Sequence, residues 1–279
     1  MSNQTTISHG EEVAEVINIA TDKRSIDLFN KLPLDASDHL RRFALSRPEF
    51  GIVLSPQMMF DEHPNVPGKD QLHRQDPCHW YQAGSIHAVG AIKTMDRSQM
   101  LQIVDIGSPV EQKIAIAAID NVTLTTLDVR PEYYHALMPF QTIIGTATKL
   151  PFPSDSVDVV TSNCVLCHVG DGRYGDAFDV DGDVNMLREC KRILKPGGVV
   201  LLGLGPISLK AILVFNMNRI YSLEWAKKLF GWAGLRPTDF WAFRPQDGEW
   251  ITPDLMVAGV KGSPLQVYYG FVSLWKPRV

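Results

Sequence analysis

The chain has 279 residues, 45% of them hydrophobic, and a formal net charge of −4. That length can bury one large core, or one core with an extension, and no Lys- or Arg-rich run invites a nucleic-acid partner. The polar, acidic start lacks a signal-peptide pattern, and four scattered cysteines (Cys78, Cys164, Cys167, Cys190) suit a reducing, cytoplasmic setting.

Residues 1–98 read as an extension, mainly helical and irregular, placed to act as a lid. Within it, Ser37 to Arg47 has helical spacing at Leu40, Phe43 and Leu45, with Ser37 or Asp38 as N-cap and Pro48 as the stop. The stretch 61–70 is dense in turn formers and charge and reads as a loop. His73, Asp76, Cys78 and His79 cluster, but their spacing matches no standard site, so no metal is expected; Gln75 and Asp76 are placed instead to reach a cofactor. Tyr81, Ile86, Val89 and Ile92 would share one face of a helix leading into the sheet.

Residues 99–279 form the second unit. From Met100, short apolar runs alternate with helical segments, the βαβ pattern of a parallel sheet. Strands fit near 101–106, 123–128, 141–145, 157–163 and 198–204, and helices near 110–119, 132–137, 183–195 and 221–233. The apolar stretch 197–215 is interrupted by Pro206 and Lys210, so it reads as a buried strand followed by a partly apolar helix and not as an integral membrane segment. Two late strands follow Gly234. The fold class is α/β.

The chemistry-bearing residues sit at strand ends. Asp105-Ile106-Gly107 closes the first strand, where open α/β sheets bind ligands. Gly107 permits positive φ, and Ser108 and the following helix offer N–H groups to a carboxylate. Asp128 ends the second strand at the spacing of a ribose-binding carboxylate, with Val129 beside it; its other reading is a partner for Arg130. The turn holding Thr146, Ala147, Thr148 and Leu150 resembles the one that flanks the adenine in methyltransferases, where an acid stands in the place of Thr146. Asn163 ends the fourth strand and opens the run to Asp176. There His168 is a candidate general base, Asp171 a candidate loop acid, Arg173 a clamp for a phosphate or carboxylate, and Tyr174 their neighbour. Asn216, Arg219 and Tyr221 would close the same pocket, or begin an amphipathic helix. Cys164 and Cys167, followed by His168, are read as small buried strand residues more readily than as a zinc or redox pair.

Together, VDIGSPVEQ, TLDVRP, GTATKLPFPSDSVDVV, HVGDGRYGD, DVDGDVNMLRECKRILKPGG and FNMNRIYS resemble an uncharacterised-domain family of class I methyltransferase-like proteins, over roughly residues 75–235. That family also has D-I-G-S without the usual further glycines, and a run E-H-I-G-L-G-R-Y-G-D; this chain has Cys167 for the Glu and Asp171 for the Leu. The resemblance implies a Rossmann-like class I methyltransferase sheet, mostly parallel with an antiparallel last strand. It implies S-adenosyl-L-methionine as cofactor, and its members are often associated with cell-surface polysaccharide genes. The missing glycines argue against a dinucleotide, whose pyrophosphate needs the full set. The expectation is therefore O- or N-methylation of a small molecule, a sugar or another metabolite. The competing expectation is a non-catalytic relative serving as a scaffold. Partners would be the small-molecule acceptor and, as one option, a second copy in a homodimer.

Overall fold

The computed structural model describes residues 29–54, 80–130, 139–215, 217–244, 248–252 and 268–278. In chain order these form α1 (Leu34–Ser46), β1 (Gly51–Val53), α2 (Trp80–Thr94), β2 (Leu101–Ile106), α3 (Val110–Ala117), β3 (Val122–Asp128), β4 (Gln141–Ile144) and β5 (Val157–Asn163). There follow α4 (Gly182–Ile193), β6 (Leu194–Ser208), β7 (Ile212–Val214), β8 (Asn218–Ser222), α5 (Leu223–Ala233), β9 (Arg236–Arg244), β10 (Glu249–Ile251) and β11 (Tyr268–Trp275). The metal candidates His73, Asp76, Cys78 and His79, together with Gln75, the helix expected at 132–137 and Asn216, lie outside the described residues.

The central sheet runs β4-β3-β2-β5-β6, with every pair parallel. β11 adds antiparallel to β6, and β9 adds antiparallel to β11. Strand order reverses between β2 and β5: the chain moves outward through β3 and β4, then returns to the far side of β2.

Both faces are covered, which is why the strands read as nearly unbroken apolar runs. Alternate side chains divide between two cores. Ile103, Val159, Val199 and Leu201 pack with Ala88 and Ile92 of α2 and Ile116 of α3. Val104, Val160, Val200 and Leu202 pack with α1, α4 and α5 in the larger core. α5 is bounded by its caps: Ser222 Oγ accepts from Trp225 N at 3.1 Å, and Gly234 ends it in the left-handed conformation (φ 68°).

Three expectations change. No helix follows the strand that begins near 198; β6 continues to Ser208, and 212–214 is the short strand β7, paired with β1 and β8. The segment from Asn218 is likewise a strand, β8, because those edges offer backbone partners that an isolated apolar segment would lack. On α2, the buried face is Ala83, Gly84, Ala88 and Ile92, while Ile86 is 59% exposed. Small size decides this face: a Cβ on Gly84 would lie 2.2 Å from the Asn163 side chain.

Candidate active site

A cavity of about 1040 Å³, mouth included, opens at the carboxyl ends of β2, β3 and β5, beside the reversal of strand order. Two left-handed residues make the chain turn there. Gly107 (φ 63°) leaves β2 and Cys164 (φ 58°) leaves β5. Val165, next to Cys164, packs so closely on Gly107 that an added Cβ would lie 2.9 Å from its Cγ2.

The turn after β2 is held from beneath. Asp105 is fully buried and accepts hydrogen bonds from Ser108 N (3.2 Å), Gln112 Nε2 (3.3 Å) and Thr161 Oγ1 (2.6 Å). Burial raises its carboxyl above the ordinary value, an effect that Lys113 and these donors oppose. Ser108 Oγ accepts from Asn163 N (3.0 Å) and Gln112 Nε2 (3.1 Å). Asn163 Nδ2 donates to Tyr81 O at 3.0 Å and Gln112 Oε1 at 3.1 Å, tying α2 and α3 to the end of β5. Gly107, Ser108 and Asn163 reach the cavity wall; Asp105 does not.

Asp128, Val129, Thr146 and Ala147 also line the cavity. Thr148 and Leu150 do not. Thr148 is 3.0 Å from Thr146, hydroxyl to hydroxyl, and Leu150 is fixed by the α4 pair: its N–H donates to Glu189 Oε2 and its carbonyl accepts from Arg192 Nη2. The Asp128 carboxylate is held by Arg130, with Nε to Oδ1 at 2.9 Å and Nη2 to Oδ2 at 3.0 Å.

The run His168 to Asp176 forms the remaining wall. Gly170, Gly172 and Gly175 all have positive φ (86°, 72°, 82°), so the loop doubles back repeatedly. Asp176 closes it, accepting from Gly170 N at 2.6 Å and Tyr174 N at 3.3 Å. This puts His168, Arg173, Tyr174 and Asp176 on the cavity and turns Asp171 away from it.

His168 Nδ1 lies 2.5 Å from Met217 O. A carbonyl only accepts, so Nδ1 carries the proton and Nε2 keeps a lone pair. Burial, with the Arg173 guanidinium beside it, pushes the imidazole pKa down to about 3. His168 is therefore a neutral hydrogen-bonding group near pH 7 and a weak proton acceptor, not a base poised near working pH. The Tyr174 hydroxyl is raised by burial, against the pull of Arg173 and Arg130.

Asp171 belongs to a buried ionic cluster behind the loop. Arg219 Nη2 lies 2.9 Å from Asp171 Oδ1, and Arg219 Nη1 donates to Val169 O at 2.6 Å. Arg47 makes a bidentate pair with Asp183 at 2.6 and 2.7 Å, and Tyr221 OH donates to Asp183 Oδ2 at 3.0 Å. His39 Nε2 approaches Asp171 to 3.4 Å. Burial alone would raise the Asp183 carboxyl; Arg219 and Arg47 outweigh it and hold it below the ordinary value. Arg219 and Tyr221 thus brace the loop from behind and do not close the pocket.

Cys164 and Cys167 are buried free thiols at the end of β5 and in the 3-10 turn Leu166–His168, not within a strand. Burial holds the Cys167 thiol protonated, pushed up to about 12. Tyr81, Gln112 and Arg130 were not selected as site residues from the sequence. Only Arg130 carried a signal, as the alternative partner of Asp128.

A family model described as "Caenorhabditis protein of unknown function, DUF268" matches residues 101–233, just under half of the chain. A 72-residue segment is 38% identical to malonyl-[acyl-carrier protein] O-methyltransferase 1 of Coxiella burnetii, covering 25% of this chain. The match spans only about a fifth (21%) of that relative's length. Among solved structures, the [4+2]-cyclase SpnF aligns with a TM-score of 0.51 at 16% identity, over 72% of this chain and 84% of that one. The Burkholderia thailandensis 1,6-didemethyltoxoflavin-N1-methyltransferase, solved with S-adenosylhomocysteine, aligns at 0.48 and 14% identity over 71% and 80%. The strand order and the SpnF likeness give the fold as the Rossmann-like class I methyltransferase sheet. Among the described residues no helix is long and apolar enough to cross a membrane.

Proposed function

We propose that this chain is an S-adenosyl-L-methionine-dependent methyltransferase acting on a small molecule. One observation carries the reading: the cavity at the reversal of strand order is walled by Gly107 after β2 and by Asp128 at the end of β3. The O-methyltransferase name of the Coxiella relative supports the same reaction class.

The residues present fit the cofactor. Gly107 leaves no Cβ beside Val165. Asn163 fixes that turn, its N–H donating to Ser108 Oγ and its Nδ2 to Tyr81 O and Gln112 Oε1. Gly107, Ser108 and Asn163 would hold the amino-acid end, Asp128 and Val129 the ribose, and Thr146 and Ala147 the adenine. Asp105, Thr148 and Leu150 would support this wall from behind. When bound, the cofactor supplies an electrophilic methyl group on its sulfonium.

The chain's own residues would contribute mainly alignment. The His168 Nε2 lone pair would accept a hydrogen bond from the acceptor's O–H or N–H and so aim its nucleophilic atom. Arg173 and Tyr174 would fix the acceptor's far end, and the glycine-rich loop would hold them in place.

Isothermal titration with S-adenosyl-L-methionine tests the reading. We expect saturable binding that Asp128→Ala weakens about 10- to 100-fold, the worth of charge-assisted hydrogen bonds. No binding at high micromolar cofactor would sink it. One observation favours the second reading, a non-catalytic scaffold: Arg130 already engages the Asp128 carboxylate. Methyl transfer that disappears in a folded Asp128→Ala protein would exclude the scaffold.

A further inference from the structure

Arg130 stands at the junction of the two halves of the cavity. Its guanidinium chelates Asp128 at the end of β3, and its backbone N–H also donates to Asp128 Oδ1 at 3.0 Å. The same guanidinium lies 4.8 Å from the centre of the Tyr174 ring, and that of Arg173 lies 5.4 Å from it. Two cations therefore share one phenol ring inside a cavity, where their repulsion is poorly screened. Asp128 offsets that repulsion on the Arg130 side. In the same loop as Arg173, Asp176 accepts from the backbone N–H groups of Gly170 and Tyr174.

Asp128 cannot serve Arg130 and a ribose fully at once. Its side chain is 4% exposed and three hydrogen bonds from Arg130 already fill most of its acceptor sites. We propose that Arg130 changes partners: it holds Asp128 when no ribose is present, and when ribose hydroxyls take Asp128 it joins Arg173 around Tyr174 to bind an oxyanion of the acceptor, a carboxylate or a phosphate. Guanidinium groups suit both, because their planar fork makes paired hydrogen bonds to either. The inference rests on the cofactor reading above. It adds the chemical class of the acceptor and an obligatory coupling, since whatever favours the oxyanion must by linkage favour the cofactor equally.

The test is titration of the full chain with S-adenosylhomocysteine, the non-reacting product form, in chloride and then in inorganic phosphate or malonate at matched ionic strength. We expect saturating oxyanion to tighten the wild-type Kd by about fivefold or more, and Arg130→Gln to reduce that effect to within about twofold. Arg130→Gln should also bind S-adenosylhomocysteine more tightly than wild type in chloride, because the competitor for Asp128 is gone. A larger effect of phosphate than of malonate would mark a phosphorylated acceptor, and the reverse a carboxylated one. A wild-type Kd that neither anion changes, or a coupling that survives in Arg130→Gln, overturns the inference while leaving the cofactor reading intact. Absence of S-adenosylhomocysteine binding in both proteins overturns the cofactor reading, and the inference with it.

Discussion

Single residues decide whether the acceptor-side wall exists at all. Gly170 and Gly175 both have positive φ, but their surroundings differ. A Cβ on Gly175 would meet nothing within 4 Å, whereas one on Gly170 would sit 2.1 Å from the Asp179 carbonyl oxygen. Gly175→Ala should cost only the left-handed backbone penalty, about 1–2 kcal/mol. Gly170→Ala adds a backbone clash, so its loss should exceed that of Gly175→Ala in urea unfolding; equal losses would mean that the loop moves freely off Asp179. The run HVGDGRYGD was legible as a dense polar loop, but which side chains face the cavity was not. Asp171 and Arg173 are two apart, and their division depends on the left-handed turn at Gly172, which no periodicity encodes. Thr148 and Leu150 are similar: they follow the adenine-side turn in sequence, yet Glu189 and Arg192 draw Leu150 toward α4.

Between elements, the buried cluster fastens α1 to the rest. His39 and Arg47 come from α1 and the residue that caps its end, Asp183 from α4, Arg219 and Tyr221 from β8, and Asp171 from the loop. Removing one partner of a buried pair leaves the other charged and desolvated. Arg219→Met should therefore cost about 3–5 kcal/mol, while Lys228→Met, which breaks the exposed pair with Glu49, should cost less than about 1 kcal/mol. Denaturant midpoints of the two variants give the comparison, and similar losses would contradict the assignment. The strands β2, β3, β4 and β5 were readable from sequence because each is a short apolar run ended by Gly, Asp or Asn at the ligand-facing side. β7 and β8 were not, because β7 pairs with β1 and β8, and β8 meets β6 only at Tyr221 and Ser222, outside the alternating βαβ pattern. The buried face of α2 escaped for another reason. Ala83, Gly84 and Ala88 signal close packing by what they lack, and a reading keyed to large apolar residues selected the exposed Ile86 instead.

Across the whole molecule, two depressed histidines weaken the fold as pH falls, against the raised carboxyls of Asp105 and Asp176, which favour the folded state as they protonate. Burial pushes His87 down to about 4, and burial with Arg173 pushes His168 down to about 3. Both take up protons in the unfolded chain near the ordinary value of about 6.5 but not in the folded one, so stability must fall as pH drops through that value. The His87 contribution runs out near pH 4 and that of His168 near pH 3. Asp183, held low by Arg219 and Arg47, adds a loss of the same sign at still lower pH, below the ordinary carboxylate value. Unfolding midpoints between pH 7 and 4.5 should decline less steeply in His87→Gln than in wild type. An unchanged slope would mean that His87 protonates in the folded protein.

The sheet also dictates an order of assembly. β11 lies between β6 and β9, and apart from the short β10, β9 has no other partner among the described residues. A chain emerging from the ribosome can complete β4 through β6 around the cavity and still carry two open inner edges until residues 268–275 arrive. During that interval the apolar edge of β6 is available to any extended segment nearby, including another nascent copy. A strand that follows β6 and β9 in the chain thus seals the sheet in its interior, and translation arrested just before Tyr268 should yield a species that chaperones capture and that the chain carrying β11 does not form.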